Sequence, residues 1–442
     1  MRKARIGVVC LCRKTFDYIT AWKLFQERIE ETKKDDSVEW EVFSKPVYEP
    51  LEGEEAASFL LESKVDAVVL VSATFHLGHL ALIIDKRVNK PILLWGFNEL
   101  PYDGGKIRLN AVCGVNLNAS NLYKSGNTTY IVHVGDEIDK DFILAIKMKV
   151  AIENASIGLI GYRAQGFFNV GVDELHLFHE TGTLISHYEL SALFGGEAKE
   201  EDIQREKAFV LKTFDTSKVN EQQVNLLAKL IVLASDFMLK EKLDVIAIRC
   251  WPEFAKTYGI SPCAMMSVLQ SRGMLLACEG DVEAALSMLA VKAGGEKTPF
   301  MADLSQVNYQ ENYALLWHDG VAPCNLWDGK CVRGLETYFA GGRGVTADFV
   351  LKEGKMSIMR IDTALGKTRL FYAEGEAVPM KKELAGTYAK VIFDIPVDKL
   401  IDIVTYTGVA HHVIMGYTQY RKAVHYLARI KGWELIDENT KV

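Results

Sequence analysis

Two stretches, "VDAVVLVSA" (65–73) and "KPILLWGF" (90–97), are apolar at consecutive positions, and each follows a segment with helical periodicity. A strand with water on one face alternates apolar and polar residues, so a strand apolar on both faces must be covered on both. Within the first 150 residues such runs alternate with helices. "RIGVVCLC" leads into the amphipathic "FDYITAWKLFQERIEETKK", then come "SVEWEVFSK" and a helix near "GEEAASFLLES". Strand–helix alternation of this kind specifies a parallel, doubly wound sheet. No GxGxxG follows the first strand, so nothing implies a dinucleotide.

A second α/β unit begins near "ASIGLIGYRAQGF" and carries the helix "NEQQVNLLAKLIVLASDFMLKEK", with "LDVIAIRCW" and "GMLLACEG" as further buried strands. From about residue 300 the texture changes to "GVTADFVLKEG", "KMSIMRID", "TRLFYAEGE" and "YAKVIFDI", short alternating runs between Gly and charged turns. That pattern predicts antiparallel sheet or barrel, with a closing helix at "YTQYRKAVHYLARIKG". The expected fold is therefore α/β: two doubly wound, Rossmann-like domains (1–150 and 151–299) followed by a mainly antiparallel β domain (300–442). A chain of 442 residues is long enough for that division.

A net charge of −7 argues against nucleic acid and anionic membranes as partners. "MRKARIGVVCLCRK" reads as a first strand and not as a leader peptide. The run 65–85 has the length of a membrane span, but Phe75, His76, Gly78 and His79 interrupt it as a strand, a turn and a helix would. Eight scattered cysteines without a CxxC predict free thiols and a cytoplasmic location.

Candidate chemistry sits where strands end. Glu279, in "LLACEGD", falls at the junction of a buried strand and a helix, where ligands of open α/β sheets bind. Both a functional carboxylate and a stabilised helix start fit there, and for Asp281 the helix start is the simpler reading. Asp303 in "FMADLSQV" and His318 in "LLWHDG" read singly as an N-cap and a satisfied buried imidazole. With the adjacent His411 and His412 of "GVAHHVIMGY" they make a set of oxygen and nitrogen donors suited to Mn²⁺ or a similar divalent ion. Arg249 and Trp251 follow the strand "VIAI" as candidate sugar contacts, with packing the alternative for Trp251. Arg249 requires an anionic partner or open solvent.

Several of these stretches together resemble the L-fucose/L-arabinose isomerase superfamily, most closely L-fucose isomerase, from about 245 to 417. "CEGDVEAALSML" is similar to the surroundings of that family's first catalytic carboxylate, with Gly280 in place of an Asn. "FMADLSQV" puts Asp303 24 residues on, the spacing of the second carboxylate. "YFAGGRG" aligns Tyr338 with a substrate-contacting tyrosine, and "GVAHHVIM" puts His412 at the metal histidine and His411 at a sugar contact. His318-Asp319-Gly320 departs from the fucose enzyme's Asn-Ser-Gly, which leaves His318 as either metal ligand or substrate contact and leaves the sugar unnamed.

The resemblance implies a metal-dependent aldose–ketose isomerase acting on a deoxy-hexose or pentose through a cis-enediol. Glu279 and Asp303 would be the acid/base pair and, with His412, the Mn²⁺ ligands. It also implies a homo-oligomer, hexameric or trimer-based, in which Arg13 and Phe75 reach the sugar of a neighbouring subunit. The alternative from another class is a non-catalytic sugar-binding or regulatory protein on the same scaffold.

Overall fold

A computed structural model describes residues 2–338 and 342–442. The described chain divides into two compact units, one of residues 2–150 and 422–432, the other of 151–421 and 433–442.

In the first unit, strands β1 (Ala4–Leu11), β2 (Val38–Val42), β3 (Ala67–Ser72), β4 (Ile92–Gly96) and β5 (Ile131–Val134) form a wholly parallel sheet in the order β2-β1-β3-β4-β5. Every residue of β3 and β4 is buried, as their unbroken apolar runs require. The helix Tyr18–Thr32 buries Ala21, Phe25 and Ile29, one residue per turn of a single stripe, and Asp17 caps its first turn by accepting from the Thr20 N–H.

In the second unit, β6 (Ile157–Ile160), β7 (Ile185–Tyr188), β8 (Val245–Ile248) and β9 (Leu275–Ala277) form another parallel sheet, in the order β7-β6-β8-β9. The remaining strands are β10 (Phe300–Asn308), β11 (Tyr313–His318), β12 (Gly334–Glu336), β13 (Thr346–Val350), β14 (Gly354–Ala364), β15 (Lys367–Val378), β16 (Thr387–Phe393), β17 (His412–Gly416) and β18 (Glu434–Ile436). They make one mostly antiparallel sheet in which β10, β11, β16, β15, β14 and β17 pair around a closed ring. Closure removes the free edges of those six strands. The α/β regions and the antiparallel C-terminal region are those expected from the sequence.

The helix Val282–Ala293 packs against β8 and β9 on one side and against β14 and β17 on the other. That contact explains why ten of its twelve residues are buried and why it is apolar nearly all round. It also makes residues 151–299 and the barrel one compact body. The chain does not close on its last helix, Arg421–Lys431: β18 follows and adds in parallel to β15. Among the described residues, no helix is long and apolar enough to cross a membrane.

Candidate active site

The candidate residues of the second unit converge where the carboxyl ends of β8 and β9 meet one wall of the barrel. Glu279 follows β9 with φ of 62°, and Gly280 follows it at 73°. Two consecutive left-handed residues turn the chain sharply off the strand. A Cβ at position 280 would stand 2.3 Å from the Tyr162 carbonyl oxygen, so only glycine fits. A glutamate in this conformation costs roughly 1–3 kcal/mol. Hydrogen bonds fasten the turn on both sides: Ala164 N–H donates to the Glu279 carbonyl (2.9 Å) and Gly280 N–H to that of Ile248 (3.0 Å).

Asp303 is not a helix N-cap. It lies within β10, directly opposite His412 of β17 on one side and Trp317 of β11 on the other. Directly opposed residues in an antiparallel pair project from the same face. His412 is completely buried, with Nε2 3.0 Å from Glu279 Oε2 and 3.5 Å from Asp303 Oδ1. His411 precedes the strand, so strand alternation does not govern it. Its ring centre lies 4.0 Å from that of His412, half-exposed, with Nε2 4.0 Å from Glu279 Oε2.

Behind His412 lies a buried ionic network. Nδ1 of His412 donates to Asp281 Oδ2 (2.8 Å), and the fully buried Arg360 of β14 donates to the same carboxylate (2.8 Å) and to the His412 carbonyl (3.2 Å). Arg360 also reaches Asp362 and Glu283, and Arg369 pairs with Asp362. Asp281 does cap the helix Val282–Ala293 by accepting from Ala284 N–H, but its other lone pairs fix the imidazole. An ionised carboxylate can only accept, so Nδ1 of His412 carries the proton and Nε2 faces Glu279 and Asp303.

The charges follow from these contacts. Burial alone would raise the Glu279 carboxyl, but the hydrogen bond and charge of His412 and the Trp251 N–H hold it below its ordinary value. Burial would lower His412, yet the Asp281 and Glu279 carboxylates, with Asp303 beside them, carry it up to about 9. Asp281, despite its burial, is held well down by Arg360 and His412. Burial pushes Glu283 up to about 7 against the pull of Arg360. Burial and the His412 charge lower His411.

Aromatic residues wall the open side. Trp251 Nε1 donates to Glu279 Oε1 (3.2 Å), so Trp251 touches the carboxylate and does not merely pack under the sheet. Phe167 stands edge-on to both Trp251 and His411, at 5.8 and 5.5 Å between ring centres, and Asn169 bonds His411 Nδ1 at 3.0 Å. His318 ends β11, buried, its ring 5.7 Å from that of His412. Tyr338 donates to Asp319 Oδ1 (2.7 Å), a carboxyl raised by burial and by Asp303 and Glu279. Residues 339–341 of the "YFAGGRG" stretch lie outside the described residues.

Arg249 has its anionic partner within its own segment, Glu253 at 2.6 Å, which turns its guanidinium to that carboxylate. Arg13 and Phe75 belong to the first unit, at the carboxyl ends of β1 and β3. There the Arg13 N–H bonds Thr74 Oγ1, and Phe75 packs at a tilt on Phe16.

Among the described residues Asp303 Oδ1 is buried with no hydrogen-bond partner, and His412 Nε2 faces only the Glu279 and Asp303 carboxylates. Ligand atoms of Glu279, His411 and His412 lie within 4.8 Å of one another, as do those of Asp303, His318 and His412. His412 is common to both groups. Oxygen and imidazole donors with unpaired, inward-facing atoms fit a divalent cation such as Mn²⁺.

No protein-family model matches the chain. Its curated relatives include the sulfoquinovose isomerase of Alkalicoccus urumqiensis, 26% identical over 392 residues, 85% of this chain and 87% of that protein. The sulfoquinovose isomerase of Priestia aryabhattai is 25% identical over 383 residues, 84% of this chain and 85% of that one. That of Clostridium sp. (strain MSTE9) is 26% identical over 349 residues, 76% and 77% of the two chains. Among solved structures, a glucose-galactose binding protein from Geobacillus stearothermophilus covers 67% of this chain and 92% of its own at 14% identity. Its TM-score to this chain is 0.19.

Proposed function

We propose that this chain is a divalent-metal aldose–ketose isomerase that works through a cis-enediol, with Glu279 and Asp303 as its proton-transfer pair. The coarser half of that statement, an isomerase whose substrate is a sugar, rests on relatives that align over most of both chains. The finer half is supported above all by one observation: two carboxylates from different sheets approach a single imidazole nitrogen whose opposite face is locked by Asp281.

Converting an aldose to a ketose moves one proton from C2 to C1 and another from the C2 hydroxyl to the C1 oxygen. Glu279, held ionised, takes the C2 proton and returns it to C1 on the same face. Asp303, across His412 from Glu279, serves the two oxygens, receiving the C2 hydroxyl proton and giving it to O1. A divalent ion held by Glu279, Asp303 and His412 would supply Lewis-acid stabilisation of the enediolate charge. The Trp251 N–H fixes one oxygen of Glu279 and leaves the other facing the site. Phe167 and Trp251 give a ring wall that limits water around the carbon-bound proton.

The substrate is a deoxy-hexose or pentose, and the names of the relatives make sulfoquinovose the first sugar to assay. The assembly is a homo-oligomer, hexameric or trimer-based, in which Arg13 and Phe75 meet a sugar held by another copy. The deciding measurement is ketose formation from a panel of aldoses, in chelator-treated protein with and without added Mn²⁺. Metal-dependent ketose formation supports the reading. No ketose from any sugar would instead favour a sugar-binding protein without catalysis.

A further inference from the structure

We propose that His318 is not a metal ligand: it carries its ring proton on Nε2 and donates it to an oxygen of the bound sugar. The inference rests on the isomerase reading for its substrate, but its argument is a hydrogen bond to the far side of the ring.

His318 Nδ1 accepts the backbone N–H of Asp319 at 2.8 Å. A backbone amide has only a donor to offer, so Nδ1 holds a lone pair there and the proton of a neutral imidazole sits on Nε2. The amide has no freedom to turn away. Gly320 closes the turn with its own N–H on the His318 carbonyl (2.6 Å), at φ of 68°. A Cβ at 320 would stand 2.5 Å from both the backbone nitrogen and the oxygen of Ala347. On the strand side His318 is opposite Thr387 of β16. The ring is thereby held from the backbone outward.

Nε2 of His318 is buried and has no hydrogen-bond partner among the described residues. A buried N–H left unpaired is destabilising, and a ligand oxygen would satisfy it. The contrast with His412 is chemical. There an acceptor-only carboxylate holds Nδ1–H, so Nε2 is the nitrogen that offers a lone pair once the ring is neutral; here a donor holds Nδ1 and leaves a proton on Nε2. Two imidazoles whose rings lie 5.7 Å apart thus stand beside Asp303 with opposite polarity. One is built to bind a cation and the other to bind an oxygen that gains negative charge. The neutral ring donates without first having to be protonated, as an electrophile for a sugar carbonyl or enediolate oxygen should.

The test separates ligand from donor. Mn²⁺ affinity measured by calorimetry on His318→Ala should stay within about threefold of the unchanged protein, whereas loss of a direct ligand or its support costs about 10–100-fold or more. Ketose formation by the same variant should fall roughly 100-fold in kcat, the loss typical of one oxyanion donor. His318→Gln, whose amide can donate again, should recover part of it. A fall in Mn²⁺ affinity of about tenfold or more in His318→Ala overturns the proposal.

Should the alanine variant misfold, ¹⁵N spectra of histidine-labelled protein, metal-free and Mg²⁺-loaded, still decide. A pyridine-type Nδ1 at His318, assigned by its absence in His318→Gln, supports the proposal, and a protonated Nδ1 overturns it. If the unchanged protein isomerises no sugar, the functional reading fails separately, because the affinity and ¹⁵N results do not depend on turnover.

Discussion

Metal binding should release a proton, and His412 sets how many and at what pH. Its imidazole is held up to about 9 by the carboxylates around it. At pH 7 only about one molecule in 100 then offers a neutral Nε2, so proton competition would weaken Mn²⁺ binding by roughly two orders of magnitude. Raising the pH should strengthen binding about tenfold per unit from pH 6.5 to 8.5, with close to one proton released per ion at pH 7. Calorimetry in two buffers of different ionisation enthalpy measures both quantities. Asp281→Asn keeps the N-cap but removes a charge that holds His412 up, so the break in the curve should move to lower pH. The linked effect on stability has a definite sign. The folded value lies above the unfolded one near 6.5, so the contribution is complete below about 6.5 and is lost as pH rises through about 9. The Tm of the metal-free protein should therefore fall over that window. A pH-independent affinity between 6.5 and 8.5, with no proton released, would refute the placement of His412 between these carboxylates.

Three substitutions test other parts of the site. Glu279→Gln should lower kcat for ketose formation by about 10²–10⁴-fold while leaving the circular dichroism spectrum unchanged. Gly280→Ala should destabilise by roughly 1–3 kcal/mol in urea unfolding, because its Cβ meets the Tyr162 carbonyl, and should lower turnover by displacing Glu279. Arg360→Met should cost about 3–5 kcal/mol by the same measurement, since it leaves Asp281, Asp362 and Glu283 buried around an uncharged side chain. A cost under 1 kcal/mol for Arg360→Met would mean that the network does not hold Asp281.

What the sequence could disclose depended on whether a residue's role was local. The parallel sheets were legible because a strand buried on both faces is written in consecutive residues, and the barrel because alternation is too. Glu279 was visible as a carboxylate after a buried strand, although nothing in "CEGD" announces two left-handed residues in succession. Asp303 read as an N-cap because position on β10 depends on β11 and β17, which are remote in the chain. Asp281 read correctly as a cap and incompletely as a residue, since a carboxylate has more lone pairs than a helix end needs. Arg360 was the missed signal that could have been found. A charge in "KMSIMRID" points inward in phase with apolar neighbours, and a buried arginine requires carboxylates. Phe167 and Asn169 left no trace, because a loop's reach to His411 is a property of the folded body alone.

The helix Val282–Ala293 has a consequence for how such a site can change. Its head carries Asp281, its flanks are sealed between two sheets, and Glu279 leaves the chain two residues before that head. Volume changes in the helix, even of one methylene, would move Glu279 and Asp281 along with the core, so this end of the pocket tolerates little retuning. The opposite rim includes Phe167 and Asn169, which lie outside the strands and the long helices and whose side chains can be exchanged without repacking a sheet. On the proposed function, reaction and substrate preference would in this way be carried by separable parts of one cavity. A library confined to the rim should shift which sugar is accepted long before it alters what is done to it.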